Sequence, residues 1–294
     1  MGKAIGIIAI KGGVGKTTIA ASLAADLAHH YKQKVLLVDA NYSAPNLGLH
    51  MDIIKPDKTI HDVLRGTARA ARAVHRRHGV DVIPGSYAQT REINLLRLKD
   101  KLSSMKRMYD FVIIDGSPSL HDEVLSTILA SDMLFVVSTP DYPTLSCSLS
   151  AARLAKQRGK PIAGIIINKI RDPAHELTLK EIQDVTQIPV VARIPDEAIH
   201  SRALFRRVPS VLDSPRSVFA REIRALNATF MGVREKRGLF RRLFPVHERA
   251  EVVNRQILKH GFYTNTFVPL SSTSNAHEIE LPPIDIEEIA VHEK

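Results

Sequence analysis

The chain has 294 residues, 44% of them hydrophobic, with nine Phe, six Tyr and no Trp, enough for one large α/β domain and an appendage. No apolar run reaches the roughly 18 residues of a membrane-spanning helix, no signal peptide is apparent, and Gly6 stands where N-myristoylation expects Ser or Thr. Net charge is +10 but uneven: residues 201–249 carry twelve Lys/Arg against four Asp/Glu and residues 250–294 three against seven, which points to an anionic partner near residue 240.

Ala4–Ile10 is a short apolar run ending at a Gly-rich loop, and Thr17–His30 follows with helical spacing. Between them stands Lys11-Gly12-Gly13-Val14-Gly15-Lys16-Thr17-Thr18. A Gly-rich turn between strand and helix lets backbone N–H groups point at phosphate oxygens without Cβ interference, and the helix adds its positive end. In such a loop Lys16 reaches the β- and γ-phosphates of ATP and the Thr17 hydroxyl ligates Mg²⁺. The strict G-x-x-x-x-G-K-[ST] pattern fails at its first position, which is Ile10.

Val35–Asp39 is a second apolar run, and others follow at Val80–Ile83, Phe111–Asp115, Met133–Ser138, Ala163–Asn168 and Pro189–Ile194. Stretches such as Leu145–Gln157 and Glu176–Val185 are long enough for helices between them. Continuous Val/Ile-rich strands separated by helices predict a doubly wound, mostly parallel α/β sheet, with ligands at the carboxyl ends of the strands. Asp39 and Asp115 both occupy such ends, and Asp115 after four apolar residues has the Walker B form that holds Mg²⁺ directly or through water. Arg65, Arg69, Arg72, Arg76 and Arg77 are expected on a helix and loop as a solvated face. The single cysteine, Cys147, excludes an internal disulfide framework, fits a reducing cytoplasm and leaves no cysteine pair for a metal or iron–sulfur cluster.

Pro215–Met231 reads as the last helix of a domain covering residues 1–231. In the segment 232–245, Val233, Leu239, Phe240, Leu243 and Phe244 fall within an arc of about 140° at 100° per residue, with Arg234, Arg241 and Arg242 opposite. Apolar side chains beside Arg and Lys describe a helix lying in a membrane interface. Burial of four such side chains yields at most ~6–12 kcal/mol before ordering costs, and each basic residue near an anionic surface adds about 1 kcal/mol. Residues 246–294 are expected to be a short helix, Val246–His260, followed by a mobile tail that turns acidic.

The loop Lys11–Thr18 resembles the deviant Walker A motif of the MinD/ParA family of dimeric ATPases, and the resemblance covers about residues 3–244. It implies that Lys11 crosses a nucleotide-sandwich homodimer to the phosphates of the other subunit. The stretch Asp39-Ala40-Asn41, followed by Pro45-Asn46-Leu47-Gly48, resembles the family's switch I, whose usual second Asp helps position water; here it is Asn41, which either accepts a hydrogen bond from water without taking up its proton, implying slow hydrolysis without an activator, or is merely a turn residue. Asn168 resembles the family's adenine-contacting residue and Pro195-Asp196 the loop on the other side of the base. The segment Leu239, Phe240, Arg241, Arg242, Leu243 and Phe244 resembles the membrane-targeting helix of MinD proteins, where it ends the chain. Here fifty residues follow it.

The resemblance implies a MinD-like ATPase, cytoplasmic and peripheral on the inner face of the cell membrane, that positions cell-division or polar machinery. The alternative is a ParA-like partition ATPase whose ATP dimer binds DNA nonspecifically through Arg202, Arg206, Arg207 and Arg221.

Overall fold

The Val/Ile-rich runs become the strands of one eight-stranded sheet in the computed structural model, which describes residues 2–87, 93–119, 122–172, 174–233, 253 and 255. In chain order the strands are β1 (Lys3–Ile8), β2 (Val35–Ala40), β3 (His75–Arg77), β4 (Val80–Ile83), β5 (Phe111–Gly116), β6 (Met133–Ser138), β7 (Ile162–Ile170) and β8 (Val190–Pro195). Across the sheet they run β3-β4-β2-β5-β1-β6-β7-β8, and only the β3–β4 pairing is antiparallel. Strand β1 therefore lies between β5 and β6, so the Gly-rich loop leaves the middle of the sheet at its carboxyl edge.

The helices are α1 (Lys16–His29), α2 (Leu47–His50), α3 (Ile60–Arg65), α4 (Leu98–Ser103), α5 (Asp122–Ala130), α6 (Tyr142–Gln157), α7 (Leu179–Thr186), α8 (Ile199–Arg206), α9 (Ser210–Asp213) and α10 (Val218–Phe230). Alternating side chains of each strand serve two cores, as a sheet covered on both faces requires. Ile5, Ile7, Leu37 and Phe135 pack with α1, α9 and α10. Ala4, Leu36 and Ile114 join α3 and α4 on the other face, while Ile8, Val136 and Ile165 join α5, α6 and α7 there.

Helix α1 is buried from Ile19 through Leu27 and is rich in alanine, which lets it approach the sheet closely while α9 and α10 cover its back. Its one buried acid, Asp26, accepts from Asn227 Nδ2 at 2.8 Å and pairs with Arg224 at 3.5 Å, so α10 is fixed to α1 by polar bonds as well as by packing. Burial raises the Asp26 pKa, and Asn227 and Arg224 act against that rise.

The expected runs and the observed strands agree to within two residues at each end. Arg76 and Arg77 depart from the sequence reading: they stand on β3, an edge strand of three residues, rather than on a helix or loop. His-Arg-Arg has no apolar alternation to announce a strand, and its pairing is dictated by the turn His78-Gly79, where both residues have positive φ. The amphipathic segment beyond Val233, including Leu239, Phe240, Arg241, Arg242, Leu243 and Phe244, lies outside the described residues, as does most of 246–294. Among the described residues no helix is long and apolar enough to cross a membrane.

Candidate nucleotide site

After Ile8 the chain turns through residues 9–15, and α1 begins at Lys16. Gly13 (φ +76°) and Gly15 (φ +97°) adopt left-handed conformations that L side chains rarely hold. A Cβ on Gly12 or Gly13 would meet nothing within 4 Å, so this stretch of backbone is bare toward an open cleft. A Cβ on Gly15 would come within 2.4 Å of Asn168 Nδ2. Asn168, on β7, donates that Nδ2 to the Val14 carbonyl at 2.7 Å and so ties the loop to the neighbouring strand end. The cleft, about 640 Å³, runs from the loop past Asn41, Asn46 and His50 to Asn168, Asp196 and His200.

Lys16 is only 7% exposed. Burial lowers its pKa, and the neighbouring Asp115 partly restores it. Asp39 and Asp115 are direct partners in the β2–β5 register and both are fully buried. Asp39 accepts from the backbone N–H of Asn41 at 3.1 Å and of Leu47 at 3.2 Å, which shapes the turn after β2. Burial first, and then the Asp115 charge, push its pKa to about 8. Asp115 is raised to about 6 by burial, against the pull of the Thr17 hydroxyl and Lys16.

The Thr17 hydroxyl is near Asp115 but donates to Asn46, so both carboxylate oxygens of Asp115 are buried without a hydrogen bond of their own, and so is Asn41 Oδ1. Buried acceptors in a native site are ordinarily satisfied. Asn41 Nδ2 donates to the Ala44 carbonyl at 2.6 Å, which orients the amide, and Thr17 Oγ1 donates to Asn46 Oδ1 at 3.0 Å. Unpaired carboxylate and amide oxygens beside a threonine hydroxyl are the donor set of a hard divalent cation that keeps part of its water shell. The residues present therefore fit Mg²⁺.

Lys11 opens the loop with its side chain 46% exposed, 3.7 Å from Asp141. Asp141 caps α6 by accepting from Thr144 N at 2.8 Å. Asp196 lines the cleft but pairs with Arg171 at 2.7 Å, and Pro195 ends β8 in register with Ile170. The sequence reading missed Asp141, His50 and His200 as site residues. Only Asp141 carried a local signal, an acid three residues before Thr144 with Pro143 in the first turn; the others reach the cleft through tertiary packing. The arginines 202, 206 and 207 gather on and just after α8. Arg202 and Arg206 share the Asp213 carboxylate, Arg207 stands 3.6 Å from Asp52, and Arg221 lies apart on α10.

The AAA_31 family model, an AAA domain, matches residues 2–151. Over 237 residues the chain is 32% identical to an uncharacterised ATP-binding protein of Methanocaldococcus jannaschii, a match covering 80% of this chain and 89% of that protein. It is 30% identical over 252 residues to the sporulation initiation inhibitor protein Soj of Bacillus subtilis, covering 74% of this chain and 93% of Soj. Among solved structures, the septum site-determining protein MinD of Pyrococcus horikoshii, complexed with Mg-ADP, matches with a TM-score of 0.72 and 28% identity, over 77% of this chain and 95% of MinD.

Proposed function

This chain belongs to the MinD/ParA family of P-loop ATPases, and from that premise we propose that it binds and hydrolyses ATP as a homodimer that attaches peripherally to an anionic membrane surface to position cell-division or polar machinery. The observation that carries the nucleotide chemistry is the unpaired, fully buried Asp115 carboxylate directly behind a bare glycine loop and Lys16. Thr17, Asp115 and, through the turn it shapes, Asp39 would hold Mg²⁺, which neutralises charge on the phosphates. Gly12 to Gly15 cradle the phosphates with backbone N–H groups, Thr18 extends that cradle into α1, and Lys16 supplies a desolvated cation.

Asn41 orients the attacking water through Oδ1 without accepting its proton, so turnover is slow until a protein activator completes the site. Lys11 is half exposed and, among the described residues, pairs with Asp141 alone, the disposition a residue needs to reach a second copy's phosphates, as a deviant Walker A lysine does. Asn168, Pro195 and Asp196 border the base. Support for membrane attachment comes from the sequence of residues 236–244, whose Phe and Leu alternate with Arg and Lys; two copies in one dimer bind a surface bivalently and so couple attachment to nucleotide. DNA attachment finds less support, because Arg202 and Arg206 are already paired with Asp213.

The test is sedimentation with anionic liposomes, with and without ATP, comparing the intact chain with Phe240→Glu. ATP-dependent sedimentation that the variant loses supports the proposal. Absence of liposome binding, together with ATP-dependent, salt-sensitive affinity for plain duplex DNA, would replace membrane attachment with the partition reading.

A further inference from the structure

At the end of the sheet opposite the nucleotide cleft, α6 and α7 leave a groove of about 440 Å³ against the first residues of β7 and β8. Its floor is apolar. Ile162 and Ile188 pack onto the core beneath β7 and β8, and Val185 is 44% exposed. Arg153, Lys156 and Lys160 line it as cations. Lys160 donates to the Ser131 carbonyl at 2.6 Å, whereas Arg153 and Lys156 have no ion-pair partner among the described residues. An apolar floor with a cationic rim suits an acidic segment that also carries aliphatic side chains.

The chain's own C-terminal region supplies one. Glu278-Ile279-Glu280-Leu281 and Ile284-Asp285-Ile286-Glu287-Glu288-Ile289 interleave acids with aliphatics, contain no basic residue, and are separated by Pro282-Pro283. In extended backbone the period of two sets Glu278 and Glu280 opposite Ile279 and Leu281, and Asp285 and Glu287 opposite Ile284 and Ile286; Glu288-Ile289 breaks it. The two prolines favour that extended form before binding and lower its ordering cost.

The extension is already delivered to this region. Val253 packs on the same core as Ile162 and Ile188. Arg255 donates Nε–H to the Val191 carbonyl at 3.0 Å and pairs with Glu222 at 2.5 Å. Residues 256–277 connect this anchor to Glu278, and a chain of that length reaches at most roughly 75 Å. Tethered at that length, the segment meets the groove at an effective concentration on the order of millimolar, so even weak docking is substantially occupied.

We infer that the α6–α7 groove binds this chain's own residues 278–289, carboxylates on Arg153 and Lys156 and aliphatic side chains on Ile162, Val185 and Ile188. The contact is intramolecular and leaves the nucleotide cleft open.

Hydrogen exchange of the full chain, read by mass spectrometry, tests it. Reversing Asp285, Glu287 and Glu288 to Lys is expected to speed exchange in residues 157–162 and 185–189 at least about threefold. Arg153→Glu with Lys156→Glu is expected to deprotect residues 278–289 in the same way, and combining both sets is expected to restore protection, which rules out a merely misfolded variant. Unchanged exchange at both places overturns the inference. So does deprotection that falls on residues 236–244 instead, which would seat the acidic segment on the basic one. Protection that grows with protein concentration would mean docking between copies and would also overturn it.

Discussion

Asn41 holds its amide by donating to Ala44, and its Oδ1 is buried and unpaired. Asn41→Asp removes that donor and adds a third buried carboxylate beside Asp39 and Asp115. The expected result is several-fold higher ATP turnover, with the nucleotide-free protein less stable by about 1–3 kcal/mol. Steady-state turnover and chemical denaturation without Mg²⁺ measure the two; unchanged or lower turnover would show that Asn41 does not limit water positioning. A second residue-scale expectation concerns His50, whose pKa is lowered to about 4, first by burial and then by His200. The unfolded chain therefore binds more protons between pH 6.5 and 4. Stability is full above pH 6.5 and declines as pH falls toward 4, by at most about 3 kcal/mol from this group. Replacing His50 with Gln should flatten that part of the melting profile. An identical acid slope in the variant would assign the loss elsewhere.

At the scale of elements, the loop after β1 depends on β7. Gly15 has no room for a Cβ because Asn168 fills the space, and Asn168 in turn satisfies Val14. Gly15→Ala combines a positive φ with a 2.4 Å collision, so nucleotide affinity is expected to fall at least about a hundredfold while far-UV circular dichroism stays intact. Asn168→Ala leaves the Val14 carbonyl unpaired at a cost of about 1–3 kcal/mol, and calorimetric titration with ATP should show weaker binding. Binding unchanged in both variants would deny the loop its role. The glycine spacing, the strand ends at Asp39 and Asp115, and the central α1 were legible in the sequence because each rests on local chemistry: bare backbone for phosphate, a carboxylate where an apolar run stops, an alanine-rich apolar run. Strand β3 was not legible, since three polar residues carry no period. Nor was the bond from Asn168 to Val14, which joins residues 154 positions apart. His50 and His200 likewise reach the cleft from separate helices, α2 and α8, with no motif between them.

For the whole molecule, the proposed dimer separates the two lysines by function. Lys16→Ala is expected to abolish nucleotide binding, whereas Lys11→Ala should bind ATP with near-normal affinity and fail to dimerise, as read by light scattering with ATP. Equal dimerisation by the Lys11 variant would remove the shared-site arrangement. The doubly wound architecture and the basic character near residue 240 followed from patterning along the chain, but the return of Arg255 to β8 did not, because nothing in the expected helix Val246–His260 singles out one arginine for the sheet edge. That return has a consequence for solubility. An open parallel sheet ends in two rows of backbone groups that invite pairing with any other strand. On one flank, β3 is three residues long and carries Arg76 and Arg77, a charged and abbreviated margin. On the other, Arg255 occupies the Val191 carbonyl and ties itself to α10 through Glu222. The proposed ATP-dependent dimer requires that stickiness be confined to the surface that nucleotide controls. Chains cut before Arg255 would then aggregate through β8 before they lost the ability to bind ATP.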